Sequence, residues 1–129
     1  MTTRSDIMRA VKGKDTKPEL ILRKKVRAIA QGYRLNRRDI AGTPDIAFIG
    51  RRIAVFMHGC FWHGHDCKRG ARIPKDNRAY WIAKIARNKT RDEETLARLA
   101  REGWKTLVVW ECDLRDEAAL EGRLRALLA

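Results

Sequence analysis

Residues 44–58 read Pro-Asp-Ile-Ala-Phe-Ile-Gly-Arg-Arg-Ile-Ala-Val-Phe-Met-His, and this stretch decides the fold. It holds two apolar runs, 44–49 and 53–58, which are separated by a short Gly-Arg-Arg turn. Apolar, β-branched runs bounded by a turn predict two strands of an antiparallel hairpin. Because both runs are apolar at nearly every position, we expect the sheet to be covered on both faces.

Helical patterns flank this hairpin on both sides. The sequence Thr16-Lys17-Pro18-Glu19 has the form of a capping box, which marks the start of a helix. A second capping box at 90–93 lies inside a later helical stretch, which is therefore either one helix or two. Outside the hairpin we predict a helix over 17–30, one or two helices over 77–102, a strand over 105–111 and a helix over 115–128. The order αββαβα predicts an α/β fold, a small mixed sheet flanked by helices.

Length and charge suggest a single domain that binds a polyanion. The chain has 129 residues and a net charge of +13. We predict a basic N-terminal arm over residues 1–15 and one domain over 16–129. Residues 1–52 carry 14 basic against 5 acidic side chains, whereas residues 103–129 carry 4 against 5. Such one-sided charge predicts nucleic-acid binding, against the alternative of a generally basic surface.

The sequence contains no apolar run long enough to cross a membrane. The longest run, 46–56, is interrupted by Arg51 and Arg52, and a spanning helix needs about 20 apolar residues. The first residues lack the apolar core of a signal peptide. We therefore expect a cytoplasmic protein without a membrane partner.

Five of the six cysteine and histidine side chains lie within residues 58–67. In this segment Cys60, His65 and Cys67 offer three soft ligands from one loop, and Cys112 could supply a fourth. Four such ligands suit a closed, structural Zn²⁺ site, which would hold the loop against the sheet. The alternative is three unrelated free thiols.

Two further histidines and a carboxylate suggest chemistry beside this metal site. In a hairpin turning at residues 50–52, Asp45 lies near His58, and His63 follows in the loop. Histidine can accept a proton near neutral pH, and a carboxylate among basic residues is a natural Mg²⁺ ligand. The alternatives are that the histidines are ordinary polar residues and that Asp45 caps a turn.

These residues together resemble a known family. The segments that carry the resemblance are Lys14-Asp-Thr-Lys-Pro-Glu19, Pro44-Asp45, His58-Gly-Cys-Phe-Trp-His63 with His65 and Cys67, and Trp110-Glu-Cys112. They closely resemble the very short patch repair (Vsr) DNA mismatch endonucleases over about residues 4–114. The resemblance implies a restriction-endonuclease-like fold with structural zinc. It also implies a bacterial enzyme that nicks DNA 5′ of the thymine in a T·G mismatch left by deamination of 5-methylcytosine.

The resemblance also assigns roles to the candidate site residues. Asp45 would bind Mg²⁺, His63 would be the general base, and His58 and Glu19 would support the metal and its waters. Zinc would be held by the four ligands found above. Glu19 has an alternative role, because it is also the carboxylate of the capping box. No Glu-x-Lys pair of the usual restriction-enzyme kind follows Asp45; histidines occupy that place, which fits this family.

Aromatic side chains suggest how DNA is recognised. Phe61 and Trp62 lie between zinc ligands, either exposed for insertion into a base stack or packed under the loop. Trp81, Lys84 and Asn88 share one helical face by their spacing. The resemblance makes Phe61, Trp62 and Trp81 an intercalating wedge and Lys84 and Asn88 the readers of the mispair. Tyr80 and Trp104 are predicted to belong to the core.

Two other interpretations remain open at this stage. One is a zinc-stabilised DNA-binding module without catalysis, which leaves Asp45, His58 and His63 without a role. The other is a related nuclease with a different mismatch or sequence preference. For the mismatch endonuclease we expect a monomer whose partner is double-stranded DNA containing a T·G mismatch, with mismatch-repair proteins as further candidate partners.

Overall fold

The computed structural model describes residues 16–67 and 73–129. The elements, in chain order, are α1 (Lys17–Ile29), β1 (Arg34–Leu35), β2 (Ile46–Phe48), β3 (Ile53–His58), α2 (Arg78–Arg101), β4 (Lys105–Trp110), a 3-10 helix (Glu111–Arg115) and α3 (Glu117–Leu128). The predicted arm over residues 1–15 lies outside the described residues. None of the helices in the described part of the chain is long and apolar enough to span a membrane.

The four strands form one mixed sheet in the order β1-β2-β3-β4. The predicted hairpin is confirmed, since β2 and β3 pair antiparallel with Ile46 opposite Val55. β4 pairs parallel with β3 and places Trp110 opposite His58. Helix α2 makes the crossover that a parallel connection requires.

Helices cover both faces of the sheet, as the apolar strands predict. Alternate strand residues point to opposite faces, so Ile46 and Val55 join one core cluster while Ala47 and Ala54 join another. On the first face, helices α1 and α3 contribute Leu22, Val26, Leu120, Leu124 and Leu128. On the second face, α2 contributes Leu99, and Trp104 packs against that cluster as expected. The core is therefore three layers deep around the hairpin.

Several element boundaries differ from the sequence prediction. The sequence analysis did not predict strand β1, because its two exposed residues show no apolar alternation. In the structure this strand forms by pairing with the edge of β2. Helix α2 is one continuous helix of 24 residues, so the capping pattern at 90–93 does not divide it. Helix α3 begins two residues later than predicted, where Asp116 accepts a hydrogen bond from the amide of Ala119.

Candidate active site and metal centre

The predicted catalytic residues gather at one end of the central hairpin. Asp45 immediately precedes β2, and its Oδ2 accepts a hydrogen bond of 2.5 Å from the backbone amide of Met57. His58 is the last residue of β3. A single open cavity is lined by Asp45, His58 and His63 together with Glu19. The structure thus brings all four predicted residues to one cavity.

Asp45 and Glu19 form an acidic pair on one side of this cavity. The pKa of Asp45 is raised to about 7, chiefly by burial; the hydrogen bond from Met57 opposes this shift and the neighbouring Glu19 carboxylate adds to it. Glu19 is itself only 7% exposed. Two buried carboxylates in contact are favourable when a divalent cation neutralises them, and oxygen donors are what Mg²⁺ prefers. The pair therefore fits a Mg²⁺ ion.

The Glu19 side chain faces the cavity as well as starting a helix. Its backbone amide donates to the Thr16 hydroxyl at 3.5 Å, which is the expected helix cap. Its carboxylate contacts Asp45 and lies 3.5 Å from the Arg23 guanidinium one turn later. The Glu19 amide thus serves the helix cap, while its carboxylate meets Asp45 and Arg23 at the cavity.

His58 and His63 stack face to face on the other side of the cavity. Their ring centroids are 3.8 Å apart and their planes differ by 5°. The pKa of His58 is lowered to about 4, chiefly by burial and also by the adjacent His63, so His58 is neutral at physiological pH. His63 therefore stacks on a neutral ring, which does not repel a proton bound to His63.

His63 is oriented by a carboxylate that the sequence analysis did not single out. His63 Nδ1 lies 2.5 Å from Asp92 Oδ2, in helix α2. A carboxylate accepts the proton of Nδ1, which leaves Nε2 as the unprotonated nitrogen. The signal was present in the sequence, because Asp92 extends the helical face of Trp81, Lys84 and Asn88 by one more turn. This spacing places Asp92 on that face but does not identify His63, 29 positions away, as its partner.

The donor atoms of His58, His63 and Asp92 lie within 4.8 Å of one another, close enough to share a metal ion. The geometry of the rings argues against this use. Lone pairs of imidazole nitrogens lie in the ring plane, and nearly parallel stacked rings cannot aim them at one point. The stacked geometry therefore does not favour a metal ion bound by both rings.

The four predicted zinc ligands form a separate cluster. Donor atoms of Cys60, His65, Cys67 and Cys112 all lie within 4.8 Å of one another. Cys112 Sγ is 3.5 Å from His65 Nδ1, which matches the edge of about 3.5 Å of a tetrahedron with Zn–S of about 2.3 Å and Zn–N of about 2.0–2.1 Å. The cluster can hold a metal, and its donor set fits Zn²⁺.

Two features shape the loop that carries three of these ligands. The carbonyl of Cys60 accepts a hydrogen bond of 2.9 Å from the amide of His65, which closes a tight turn. Gly64 within the turn has φ +63°, and a Cβ there would lie 2.6 Å from Ile85 of α2. Only glycine fits this conformation and this close approach. The loop is thereby pressed against α2.

The predicted wedge residues form one aromatic cluster beside this loop. Phe61, Trp62 and Trp81 meet edge to face, with ring centroids 5.4 to 6.1 Å apart. Phe61 and Trp62 are half-buried, whereas Trp81 is only 7% exposed. Tyr80, which the sequence analysis assigned to the core, is instead 52% exposed and packs on Trp81 at 5.0 Å. Its helical position turns it outward, so that assignment is wrong.

The two predicted reading residues contact this aromatic cluster. Asn88 donates a hydrogen bond of 2.9 Å to the carbonyl of Trp62 and accepts one of 3.1 Å from Arg91. The Lys84 ammonium lies 5.9 Å from the ring centroids of both Trp62 and Tyr80, a cation–π distance. Both residues therefore lie at the junction of the loop and α2.

Trp110 packs between the Cys/His cluster and the predicted catalytic histidines. Its ring stacks on His65 at 4.2 Å and meets His58 edge to face at 5.3 Å. The two clusters are consequently parts of one packed unit at the end of the sheet. A basic α/β protein with a buried carboxylate pair, a histidine–carboxylate pair and a separate Cys/His cluster has side chains suited to the hydrolysis of phosphodiesters, which is the chemistry of a nuclease.

Comparisons with known proteins identify the family. The family model described as DNA mismatch endonuclease Vsr matches residues 1–69. Type II nicking enzyme V.XorIIP of Xanthomonas oryzae pv. oryzae is 48% identical over 122 residues, covering 95% of this chain and 89% of that protein. DNA mismatch endonuclease Vsr of Escherichia coli is 36% identical over 118 residues, covering 92% and 75%. The chain belongs to the Vsr family and is a DNA endonuclease, as the sequence resemblance predicts.

Proposed function

We propose that this endonuclease makes a Mg²⁺-dependent nick in one DNA strand, 5′ of the thymine of a T·G mismatch produced by deamination of 5-methylcytosine. The observation that carries the proposal is the meeting of the His63–Asp92 pair with Asp45 and Glu19 in one cavity. A relative of the same family is itself described as a mismatch endonuclease. The proposal includes a restriction-endonuclease-like fold and a monomeric, cytoplasmic bacterial enzyme.

His63 is the proposed general base. Its Nε2 would take the proton of the attacking water, because Asp92 holds the proton on Nδ1 and stabilises the imidazolium that forms. His58, neutral and stacked on His63, would keep the ring in place without adding a competing positive charge. The proton therefore moves from water to His63 next to the carboxylate that favours it.

Asp45 would hold the catalytic Mg²⁺, with Glu19 beside it. Bound there, the ion supplies Lewis-acid polarisation of the phosphate. Zn²⁺ on Cys60, His65, Cys67 and Cys112 would have a structural role only, since four protein ligands leave no open position. The two metals thus have different sites and different roles.

Recognition is assigned to the aromatic cluster and its neighbours. Phe61, Trp62 and Trp81 would enter the base stack at the mismatch, where a wobble pair is unstacked at lower cost. Asn88 and Lys84 would then read the exposed bases. Asn88 must exchange its contacts with Trp62 and Arg91 to do so, which ties reading of the mispair to movement of the loop.

Replacing His63 tests the proposal directly. We expect His63→Ala to reduce nicking of a T·G duplex by about 10²–10⁴-fold, because the variant lacks the imidazole that Asp92 orients to accept the proton. Nicking is measured on a strand-labelled duplex with Mg²⁺ and with EDTA, and DNA binding by gel shift in EDTA. Folding is checked by circular dichroism.

The controls separate the competing interpretations. A wild-type protein that binds DNA but nicks nothing would establish the zinc-stabilised binding module instead. Full activity of His63→Ala would refute the assignment of the base. A panel of mismatches with different flanking sequences distinguishes T·G specificity from another preference.

A further inference from the structure

One basic side chain faces the cavity without a role so far. Arg91, in helix α2, lines the same cavity as Asp45, His58 and His63. Among the described residues that line this cavity, it is the only lysine or arginine. It adjoins Asp92, the residue that orients the proposed base, and its side chain is exposed.

The side chains around the cavity are mainly acidic, so a phosphate bound there would be stabilised by a positively charged side chain. The titratable side chains around it are Glu19, Asp45 and Asp92, with the two histidines. A scissile phosphate carries one negative charge, and a further charge develops as the attacking oxygen adds to phosphorus. A Mg²⁺ ion on Asp45 would offset the carboxylates first. A guanidinium stays charged at every relevant pH and offers paired donors that match phosphate oxygens.

The present partner of Arg91 would not hold it away from a phosphate. Its Nη2 donates to Asn88 Oδ1 at 3.1 Å, a solvent-exposed contact between residues three positions apart on one helix. Such contacts are weak, whereas a guanidinium–phosphate bond is charge-assisted on both sides. Asn88 also has to leave this contact in order to read a mispair. The guanidinium is therefore available when a lesion is bound.

We propose that Arg91 is a catalytic residue that binds a non-bridging oxygen of the scissile phosphate and stabilises the charge that develops there. The inference rests on the proposed function, whose site it completes with a protein cation. It does not change the proton path, because Arg91 neither accepts nor supplies the proton that His63 takes.

The test compares Arg91→Ala and Arg91→Lys with Arg87→Ala. Arg87 is an exposed arginine one turn earlier on α2 that is not among the residues lining the cavity. Single-turnover nicking of a T·G duplex is measured at saturating enzyme in Mg²⁺, and affinity is measured with Ca²⁺ in place of Mg²⁺. We expect Arg91→Ala to lower the saturated rate by roughly 100-fold or more. Affinity should change by no more than about threefold, since one phosphate contact among many is lost.

The control variants identify the kind of role. Arg91→Lys should recover part of the rate, because the lysine ammonium keeps the positive charge but lacks the paired N–H donors of the guanidinium. Arg87→Ala should leave the saturated rate within about twofold and weaken binding only to the extent of one phosphate contact. The pH profile of the Arg91→Ala rate should match that of wild type, whereas damage to the His63–Asp92 pair would shift it.

Each result decides between clear outcomes. An Arg91→Ala enzyme that nicks at the wild-type saturated rate refutes the role of Arg91 alone. A shifted pH profile also overturns the proposal, because Arg91 would then act only by positioning Asp92. A wild-type protein that nicks no duplex refutes the proposed function, and the role of Arg91 with it.

Discussion

Two carboxylates and two imidazoles meet at the end of the β2–β3 hairpin, and their surroundings shift the pKa values of Asp45 and His58 in opposite directions. Burial and Glu19 raise the pKa of Asp45, whereas burial and His63 lower that of His58. His63 alone has a carboxylate within hydrogen-bond distance of its ring. Both residues are histidines, so their different proposed roles, His63 as general base and His58 as its neutral stacking partner, follow from their neighbours.

The raised pKa of Asp45 predicts that Mg²⁺ binding depends on pH. A cation must displace the proton that Asp45 retains below about pH 7. We expect affinity for Mg²⁺, without DNA, to be about tenfold weaker at pH 6 than at pH 8 and to level off above the pKa. Calorimetric titration in two buffers of different ionisation enthalpy would also detect the released proton. Equal affinity at both pH values, or the same binding by Asp45→Asn, would contradict this prediction.

The same group affects the stability of the metal-free protein in a defined direction. The folded state keeps a proton on Asp45 that the unfolded chain releases near pH 4. The free energy of unfolding should therefore fall as the pH rises from about 4 to about 7, and Mg²⁺ should reverse the loss. Asp45→Asn removes this part of the pH dependence and is the matched control.

Some residues of this site are predictable from the sequence and others are not. Asp45 and His58 could be placed together because the hairpin register follows from its turn. Asp92 was missed because its contact with His63 depends on how α2 packs against the loop, 29 positions away along the chain. Local patterns report helix periodicity; they do not report which residue a loop meets after folding.

At the level of elements, the loop after β3 is supported by the end of β4 and by the 3-10 helix that follows it. Cys112 follows β4 in the 3-10 helix, and Trp110, the last residue of that strand, packs between His65 and His58. The metal ligands and the catalytic histidines therefore share one support. Loosening that support should affect both.

Replacing Cys112 tests the fourth ligand. Cys112→Ser should lose bound zinc, because a neutral hydroxyl is a far weaker ligand than a thiolate. We expect Tm to fall by at least about 5 °C, which corresponds to about 1 kcal/mol in a domain of this size. Zinc content is measured by elemental analysis and Tm by circular dichroism. Glu121→Gln is the control, because Glu121 is exposed on α3 and pairs with Arg125 outside the Cys/His cluster; unchanged zinc in Cys112→Ser would exclude the fourth ligand.

The elements with strong apolar patterns were predicted well, and those without were not. The hairpin, β4 and the covering helices follow from periodicity and composition. Strand β1 has two exposed residues and exists only because β2 offers a free edge. The continuity of α2 likewise depends on its packing, since Ile85 and Leu99 are buried on both sides of the capping pattern.

For the whole molecule, the charge of +13 determines how binding responds to salt. Phosphate contacts release counterions, and a chain this basic should contact several phosphates. We expect the logarithm of the affinity for a T·G duplex to fall with the logarithm of salt concentration, with a slope of about −5 or steeper. The matched T·A duplex should show a similar slope, because phosphate contacts carry no sequence information. A slope near zero, measured by fluorescence anisotropy, would contradict a backbone-dominated interface.

His65 and Cys112 lie 47 positions apart in the chain, and the whole of α2 and β4 falls between them. A metal ion shared by these two residues is therefore a long-range cross-link that forms only after the sheet has received its last strand. With the proposed zinc ion as the cross-link, a chain whose β4 is undocked would lack it, and the loop that carries His63 would not be held in position. The nuclease would therefore become active only after β4 has docked, and an incompletely folded copy would leave the DNA of its own cell uncut.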